Sequence, residues 1–403
     1  MAQPLSQTTI DTVKATVPAL AQHGREIVAE MYDRLLADPE IRTLFNQSHQ
    51  GGDSPQHAAL TNAILAYAQN IENLPVMAAA VERIANKHVG LQIEPRHYGH
   101  VASALLAAIK AVLKDAATGE VIRAWGEAYW FLANILIGRE EQLYQETAAT
   151  GGGWRGWREF RIGKRIQESA DVMSFILKPA DGQPVLKHKP GQYLSFDLDV
   201  PGTGKLRRNY SISSGPSNDF YRITVKREQG GLASTWLHEQ AAEGTVLNAA
   251  APAGEFFLKS GQETEVVLLS AGVGLTPMIS MLEVMAANNR AATYLHATHN
   301  GRHHVMPDIA RSLSRRCVTF FEDPSSEDRA AANFDVEGRV TPEWLARNTN
   351  TDQADYYICG PKGFMAMAVN GLRSAGVDED RIFYEFFGPA QELDAAQQQR
   401  NRA

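Results

Sequence analysis

The chain has 403 residues, of which 44% are hydrophobic and 21% charged, and its formal net charge is −7. This composition is typical of a globular protein of two or three domains, and the negative charge favours neither nucleic acid nor an anionic membrane as a partner. There is no uninterrupted apolar run of about 18 residues and no signal peptide, and two cysteines are too few for a disulfide framework. We therefore expect a cytoplasmic protein that is not embedded in a membrane.

Residues 1–147 are predicted to be helical, because Ala, Leu and Ile recur at spacings of three and four. One apolar stripe runs through Met77, Val81 and Ile84 to His88, and Gly90 follows as a helix end. A histidine in this position is a candidate proximal ligand for a haem iron. A core histidine without a ligand is the alternative that this helix alone leaves open.

The helix after the Ser54-Pro55 cap supplies candidates for the opposite side of such a haem. Gln56 falls on one stripe with Leu60, so its amide is a candidate donor to a ligand on iron, and His57 is the alternative inward residue. Tyr32 lies on an inward face, and Phe45 is a candidate to pack on a flat macrocycle. An exposed first turn and ordinary core aromatics are the competing interpretations.

Two further polar residues, Tyr98 and Glu140, occur in otherwise amphipathic helices. If they approach His88, they hold its non-ligating nitrogen and make it a stronger donor. If they do not, they are solvated surface residues.

Residues 147–153 are a predicted linker, since glycines cluster there. From residue 154 to about 260, short alternating stretches such as residues 221–226 are separated by Gly and Pro, which predicts an antiparallel barrel. A flavin-binding box opens one of these strands: Arg208, Asn209, Tyr210 and Ser211. Its arginine suits a pyrophosphate and its tyrosine an isoalloxazine ring. Tyr193 upstream and the glycine turn before Ser234 support that interpretation, although each alone is equally a structural residue.

From residue 264 onward, apolar strands alternate with helical patterns, which predicts a parallel sheet with helices on both faces. The strand from residue 266 leads into a glycine turn and a helix expected to start at Pro277. The residues of this turn are Ala271, Gly272, Val273, Gly274, Leu275 and Thr276. Such a turn lets a pyrophosphate approach the backbone at a helix N-terminus. Cys359 follows another strand at the same expected sheet edge.

Taken in order, these motifs resemble the flavohaemoglobins over about residues 10–389. The helical half of the resemblance rests on residues 44–46, 66–71, 84–88 and 124–125. The second half rests on the flavin box, the glycine turn and residues 385–389, and it resembles the ferredoxin–NADP reductases. The resemblance implies a multidomain fold, namely an all-α globin domain of residues 1–147, an antiparallel β-barrel FAD domain of residues 154–260 and an α/β parallel-sheet nicotinamide domain of residues 264–403. Ala271 departs from the glycine that many relatives have.

The resemblance also implies roles for individual residues. His88 is the proximal ligand of haem b iron, with Tyr98 and Glu140 as its partners, and Tyr32 and Gln56 act on the distal side. The implied cofactor contacts are Phe45, Leu60 and Lys87 at the haem; Tyr193, the box from Arg208 to Ser211, Ser234, Phe386, Phe387, Gly388 and Pro389 at the FAD; and the turn from Ala271 to Thr276 with Cys359 at NADH or NADPH.

The implied activity is nitric oxide dioxygenation, in which electrons pass from NAD(P)H through FAD to haem, and nitric oxide and oxygen become nitrate. A lipid in the haem pocket is a further candidate ligand, which the sequence leaves open. Three alternatives remain: an oxygen or nitric oxide sensor with a maintenance reductase, a hydroperoxide reductase, and a flavin reductase with a haem-free helical part. Turnover on nitric oxide and on alkyl hydroperoxide separates the enzymes, and haem absorbance tests the last. Arg302 is a candidate contact for the 2′-phosphate of NADPH or a solvated charge, so the preferred nucleotide is left open.

Overall fold

The computed structural model describes residues 4–44 and 55–387. The chain divides into two compact units, Met1–Ala149 with Lys205–Arg207, and Thr150–Gly204 with Arg208–Ala403. In these described ranges, no helix is both long and apolar enough to cross a membrane.

The first unit is helical, as expected. Its helices are α1 (Gln7–Ala15), α2 (Val17–Leu36), α3 (Pro39–Leu44), α4 (Pro55–Gln69), α5 (Ala78–Gly90), α6 (Pro95–Leu113) and α7 (Gly119–Ala149). Apolar side chains of α1, α2, α4, α6 and α7 form one core around the fully buried Trp125. A smaller cluster joins α5, α6 and α7, where Ala85 and Ala133 are small enough to let the helices approach closely. This smaller cluster positions the polar residues described below.

The helix α7 is longer than the sequence indicates. It continues through Ala149, so the first three residues of the predicted linker are helical. Thr147 and the two alanines after it contain no helix breaker, and the glycines from Gly151 onward end the helix instead.

The second unit begins with an antiparallel sheet. Its strands are β1 (Arg158–Gln167), β2 (Val172–Pro179), β3 (Tyr193–Val200), β4 (Gly204–Ser211), β5 (Tyr221–Lys226) and β6 (Val246–Ala249), with helix α8 (Leu232–Glu239) between the last two. The strand order is β4-β3-β6-β1-β2-β5. A bridge from Ile212, just beyond β4, to Ile223 in β5 joins the two edges, so the sheet curls into the expected barrel.

The remaining strands form a parallel sheet. They are β7 (Val266–Ala271), β8 (Thr293–Thr298), β9 (Arg316–Phe321), β10 (Val336–Glu337), β11 (Asp355–Cys359) and β12 (Ile382–Glu385). The helices between them are α9 (Leu275–Ala287), α10 (Pro307–Leu313), α11 (Ser326–Ala331), α12 (Pro342–Asn348) and α13 (Lys362–Ser374). The order is β10-β9-β8-β7-β11-β12, so the chain reverses direction across the sheet at β7 and β11. Ligands bind outside the carboxyl ends of strands at such a switch point.

The turn after β7 differs from the prediction in one respect. Helix α9 begins at Leu275, directly after a short 3-10 turn at Gly272–Gly274, and not at Pro277. Pro277 is accommodated in the first turn, where backbone N–H groups have no intrahelical partner. A Cβ added at Gly274 would collide with the backbone of Cys359 and Gly360. The glycine therefore lets the ends of β7 and β11 approach closely.

We predict that Gly274→Ala lowers the stability of the second unit by about 1–3 kcal/mol, because the added methyl meets backbone that cannot rotate away. The midpoint of urea unfolding, followed by far-ultraviolet circular dichroism, measures this change. Gly363→Ala in α13 is the matched control, since a Cβ there meets nothing within 4 Å. Equal midpoints for the two variants would contradict the close approach.

Candidate active site

The centre of the helical unit is a histidine held by two buried oxygens. The Nδ1 atom of His88 lies 2.7 Å from Oε1 of Glu140 and 3.0 Å from the hydroxyl of Tyr98. The Tyr98 hydroxyl donates to the same carboxylate oxygen over 2.5 Å. Glu140 is 3% exposed and Tyr98 6%, whereas the His88 side chain is 30% exposed. The structure thus brings together three residues, of which the first and the last, His88 and Glu140, are 52 positions apart in the sequence.

These contacts fix the state of the histidine ring. The carboxylate can only accept, so the Nδ1 atom of His88 carries the proton and donates it to Glu140. Burial and the neighbouring charge of Glu140 raise the pKa of Tyr98, so this hydroxyl stays protonated and remains a donor. The lone pair is left on Nε2, which faces no hydrogen-bond partner in the described residues. This donor set fits a haem iron, because metal-binding histidines characteristically donate their other N–H to a carboxylate.

Packing around the triad holds the helices in place. Arg139 binds Glu82 through two hydrogen bonds of 2.7 and 2.9 Å, which ties α7 to α5 at a position N-terminal to His88. The hydroxyl of Tyr129 donates to the backbone oxygen of Tyr98 over 2.7 Å. The arginine lowers the pKa of the Glu82 carboxyl, so the pair stays charged. The Arg139–Glu82 pair holds α7 against α5, as the His88–Glu140 hydrogen bond requires, and the Tyr129 contact holds α7 against α6.

The structure describes some of the other predicted haem residues. Tyr32 in α2 is buried, and burial raises its pKa to about 12. Leu60 in α4 is half-buried against the main core, and Lys87 in α5 is exposed. Gln56 lies in α4, but its side chain is outside the described structure, and Phe45 is outside it entirely.

The residue that packs on Tyr32 is His57, the alternative inward residue. The two rings stack with centroids 4.7 Å apart and planes 16° from parallel. The Nδ1 atom of His57 is buried and has no hydrogen-bond partner within the described ranges. This face of α4 therefore brings a polar aromatic ring beside Tyr32, which the stripe through Leu60 does not predict.

The flavin box lies on strand β4 of the barrel, next to strand β3. Tyr193 opens β3, and its pKa is raised by burial and then by the charge of Glu385. Arg208 and Tyr210 are half-buried in β4, and Asn209 accepts a hydrogen bond of 2.8 Å from Ser195. Burial lowers the pKa of the Arg208 guanidinium, since a partly enclosed position disfavours its charged form.

Two of the remaining implied FAD contacts, Ser211 and Ser234, are buried. Ser211 ends β4, and Ser234 in α8 accepts the backbone N–H of Glu228 over 3.1 Å. Phe386 is half-buried, and Phe387 is 49% exposed. Gly388 and Pro389 lie outside the described residues. The barrel thus presents an arginine and two tyrosines of the type that a flavin dinucleotide requires.

The glycine turn from Ala271 to Thr276, called the nucleotide turn below, lies at the switch point of the parallel sheet. Val273 is half-buried, and Ala271, Gly274, Leu275 and Thr276 are buried. Gly272 has φ +51°, and a Cβ there would meet nothing within 4 Å, so open space lies over the turn. Thr276 donates back to the oxygen of Val273 over 3.1 Å. The open glycine turn ahead of α9 fits a pyrophosphate.

Sequence reasoning did not single out Glu385 as a site residue. It pairs with Cys359 in the register of β11 and β12, at their carboxyl ends. Burial and then the Glu385 charge raise the pKa of the Cys359 thiol well above its usual value, so this cysteine stays protonated. An acidic residue at the end of the last strand, directly before two phenylalanines, was the available sequence signal.

Comparison with known proteins supports each part of the chain. Residues 29–136 match the Globin family, residues 159–258 the oxidoreductase FAD-binding domain and residues 268–370 the oxidoreductase NAD-binding domain. A flavohemoprotein of Xylella fastidiosa is 49% identical over 403 residues, which cover 98% of this chain and all of that protein. A flavohemoprotein of Rhizobium meliloti is 43% identical and covers 96% of this chain and 98% of its own.

Solved structures agree. The crystal structure of flavohemoglobin from Malassezia yamatoensis, with bound FAD and heme, has a TM-score of 0.82 at 28% identity and covers 96% of this chain and all of its own. The FAD/NAD-binding domain of nitric oxide dioxygenase from Vibrio cholerae has a TM-score of 0.53 at 36% identity, over 58% of this chain and all of its own. The predicted order of an all-α globin part, an antiparallel FAD-binding barrel and a parallel nicotinamide-binding sheet is confirmed. The chain belongs to the flavohemoproteins.

Proposed function

We propose that this chain is a nitric oxide dioxygenase that takes electrons from NAD(P)H and converts nitric oxide and oxygen to nitrate. The observation that carries the proposal is the Glu140–His88 hydrogen bond of 2.7 Å on the same chain as a nucleotide and flavin reductase. A carboxylate on the proximal histidine strengthens electron donation to iron, which favours oxygen activation over reversible oxygen storage. The Vibrio cholerae relative, named for this activity, supports the choice.

Two cofactors supply the redox chemistry, since bound haem provides the iron at which oxygen reacts and bound FAD converts a two-electron hydride into single electrons. The Nε2 atom of His88 would hold the iron, while Glu140 keeps the proton on Nδ1. Tyr32 stays a hydroxyl because of its raised pKa, and it would donate a hydrogen bond on the distal side together with Gln56. Leu60 supplies an apolar wall that excludes water.

On the reductase side, Arg208 and the α8 N-terminus near Ser234 would neutralise the FAD pyrophosphate, and Tyr193 and Tyr210 would lie along the ring. The turn from Gly272 to Gly274 would bind the pyrophosphate of the nicotinamide dinucleotide. Glu385 and the protonated Cys359 thiol, at neighbouring strand ends, would orient the nicotinamide for hydride transfer. We propose the same domain limits as above, with residues 1–147, 154–260 and 264–403 for haem, FAD and nucleotide.

We extend the proposal to location and to a second ligand. Cys317 and Cys359 are both free thiols, and the hydride donor is a cytoplasmic metabolite, so we infer a cytoplasmic enzyme. The apolar surroundings of Leu60 suit the acyl chain of a lipid as an additional occupant of the distal side.

The proposal is tested by nitric oxide consumption. Purified protein loaded with haem and FAD should remove nitric oxide under air when NAD(P)H is supplied, as followed with a nitric oxide electrode. Electron balance requires two nitric oxide and two oxygen molecules to be consumed, and two nitrate ions formed, for each NAD(P)H oxidised. Consumption of NAD(P)H without nitrate, or faster turnover on alkyl hydroperoxide, would overturn the assignment.

We predict that Glu140→Gln raises the haem midpoint potential and slows nitric oxide consumption by about 10–100-fold, because the proximal histidine loses its anionic partner. Spectroelectrochemical titration measures the potential independently of turnover. Glu120→Gln, an exposed change near the start of the same helix, is the matched control and should leave both quantities unchanged. If the potential of Glu140→Gln equals that of the control, the carboxylate does not tune the iron.

A further inference from the structure

The end of strand β8 carries an unusual set of charges for a dinucleotide site. In register, Ala297 of β8 lies beside Ala271 of β7, so the loop from Thr298 to His304 starts next to the nucleotide turn. In sheets of this kind, the end of the strand beside the glycine turn receives the adenosine ribose, where an Asp or Glu binds the 2′-hydroxyl of NADH and an Arg accommodates the 2′-phosphate of NADPH. Residues 297–304 contain no acidic residue, one arginine and three histidines.

The loop backbone is held on both sides. The oxygen of Arg302 accepts the N–H of Ala170 over 3.1 Å, and His303 contacts Asp171 over 3.1 Å. The N–H of Gly301 donates to Asp328 over 3.3 Å. These contacts fix the loop backbone beside the nucleotide turn.

The side chain of Arg302 is exposed and forms no ion pair in the described parts of the chain. Two acidic side chains that contact the loop are already engaged. Asp171 faces His303, and the end of β9 presents Glu322, which binds Arg339 over 2.8 Å and lies 3.9 Å from His299. The guanidinium thus remains available for an anionic ligand at the ribose end of the dinucleotide site.

We propose that Arg302, supported by the imidazole of His299, binds the 2′-phosphate of NADPH and makes NADPH the preferred hydride donor of this chain. This proposal rests on the proposed function and specifies which of the two nucleotides, NADPH or NADH, is the preferred hydride donor. A guanidinium binds a phosphate through paired N–H donors, whereas a free 2′-hydroxyl offers that cation no charge to neutralise. The absence of a carboxylate at the end of β8 removes the usual partner of the NADH ribose.

The test measures binding and hydride transfer without nitric oxide. Titration calorimetry of the FAD- and haem-loaded protein should show 2′,5′-ADP binding at least about tenfold more tightly than 5′-ADP, the difference expected for one charge-assisted hydrogen-bonded contact. Anaerobic stopped-flow reduction of the flavin should give a higher kcat/KM for NADPH than for NADH. Equal affinity for the two ADP probes in the unchanged protein would overturn the proposal.

The variant Arg302→Gln should weaken 2′,5′-ADP by about tenfold or more while leaving 5′-ADP and NADH unaffected. Arg347→Gln, which removes an exposed arginine of α12, is the matched control and should change neither probe. A loss of both probes to the same extent in Arg302→Gln would contradict a phosphate-specific role. Because no readout involves nitric oxide, a preference for NADPH in a protein that fails to make nitrate would refute the dioxygenase function alone.

Discussion

A buried carboxylate beside a histidine is the constraint on which the helical unit depends. Removing an anion such as Glu140 from water costs several kcal/mol unless donors surround it. Here the N–H of His88 and the hydroxyl of Tyr98 are those donors, and both converge on one oxygen. Satisfying the carboxylate therefore fixes the tautomer of His88 and turns Nε2 outward as a ligand. The same interaction that makes the burial of Glu140 tolerable prepares the histidine for iron.

In the reductase unit, the order of the strands in the parallel sheet is the comparable constraint. The chain reverses across the parallel sheet at β7 and β11, which places Gly274 and Cys359 at adjoining strand ends. The register of β12 then adds Glu385 beside Cys359. A glycine turn, a protonated thiol and a carboxylate thus meet where a dinucleotide binds in folds of this type. Topology brings together residues that chain distance keeps apart.

The sequence predicts the elements better than it predicts the contacts. Strand β5 and the end of α5 at Gly90 follow from alternation and from glycine, which are local properties. The choice between Gln56 and His57 does not, because neighbouring positions on a helix differ by about 100° and both can border the buried face. The structure places His57 against Tyr32 and leaves the side chain of Gln56 outside the described residues. Glu385 escaped prediction because its partner, Cys359, is adjacent only through the strand register.

We propose that one chain carries electrons from a nucleotide to a haem that His88 would hold. The most direct test is anaerobic mixing of the fully loaded protein with NADPH, with flavin and haem absorbance followed together. We expect the flavin to bleach first and the haem then to become ferrous at a rate independent of protein concentration. A reduced flavin beside a haem that stays ferric, or a haem rate that rises with protein concentration, would contradict it.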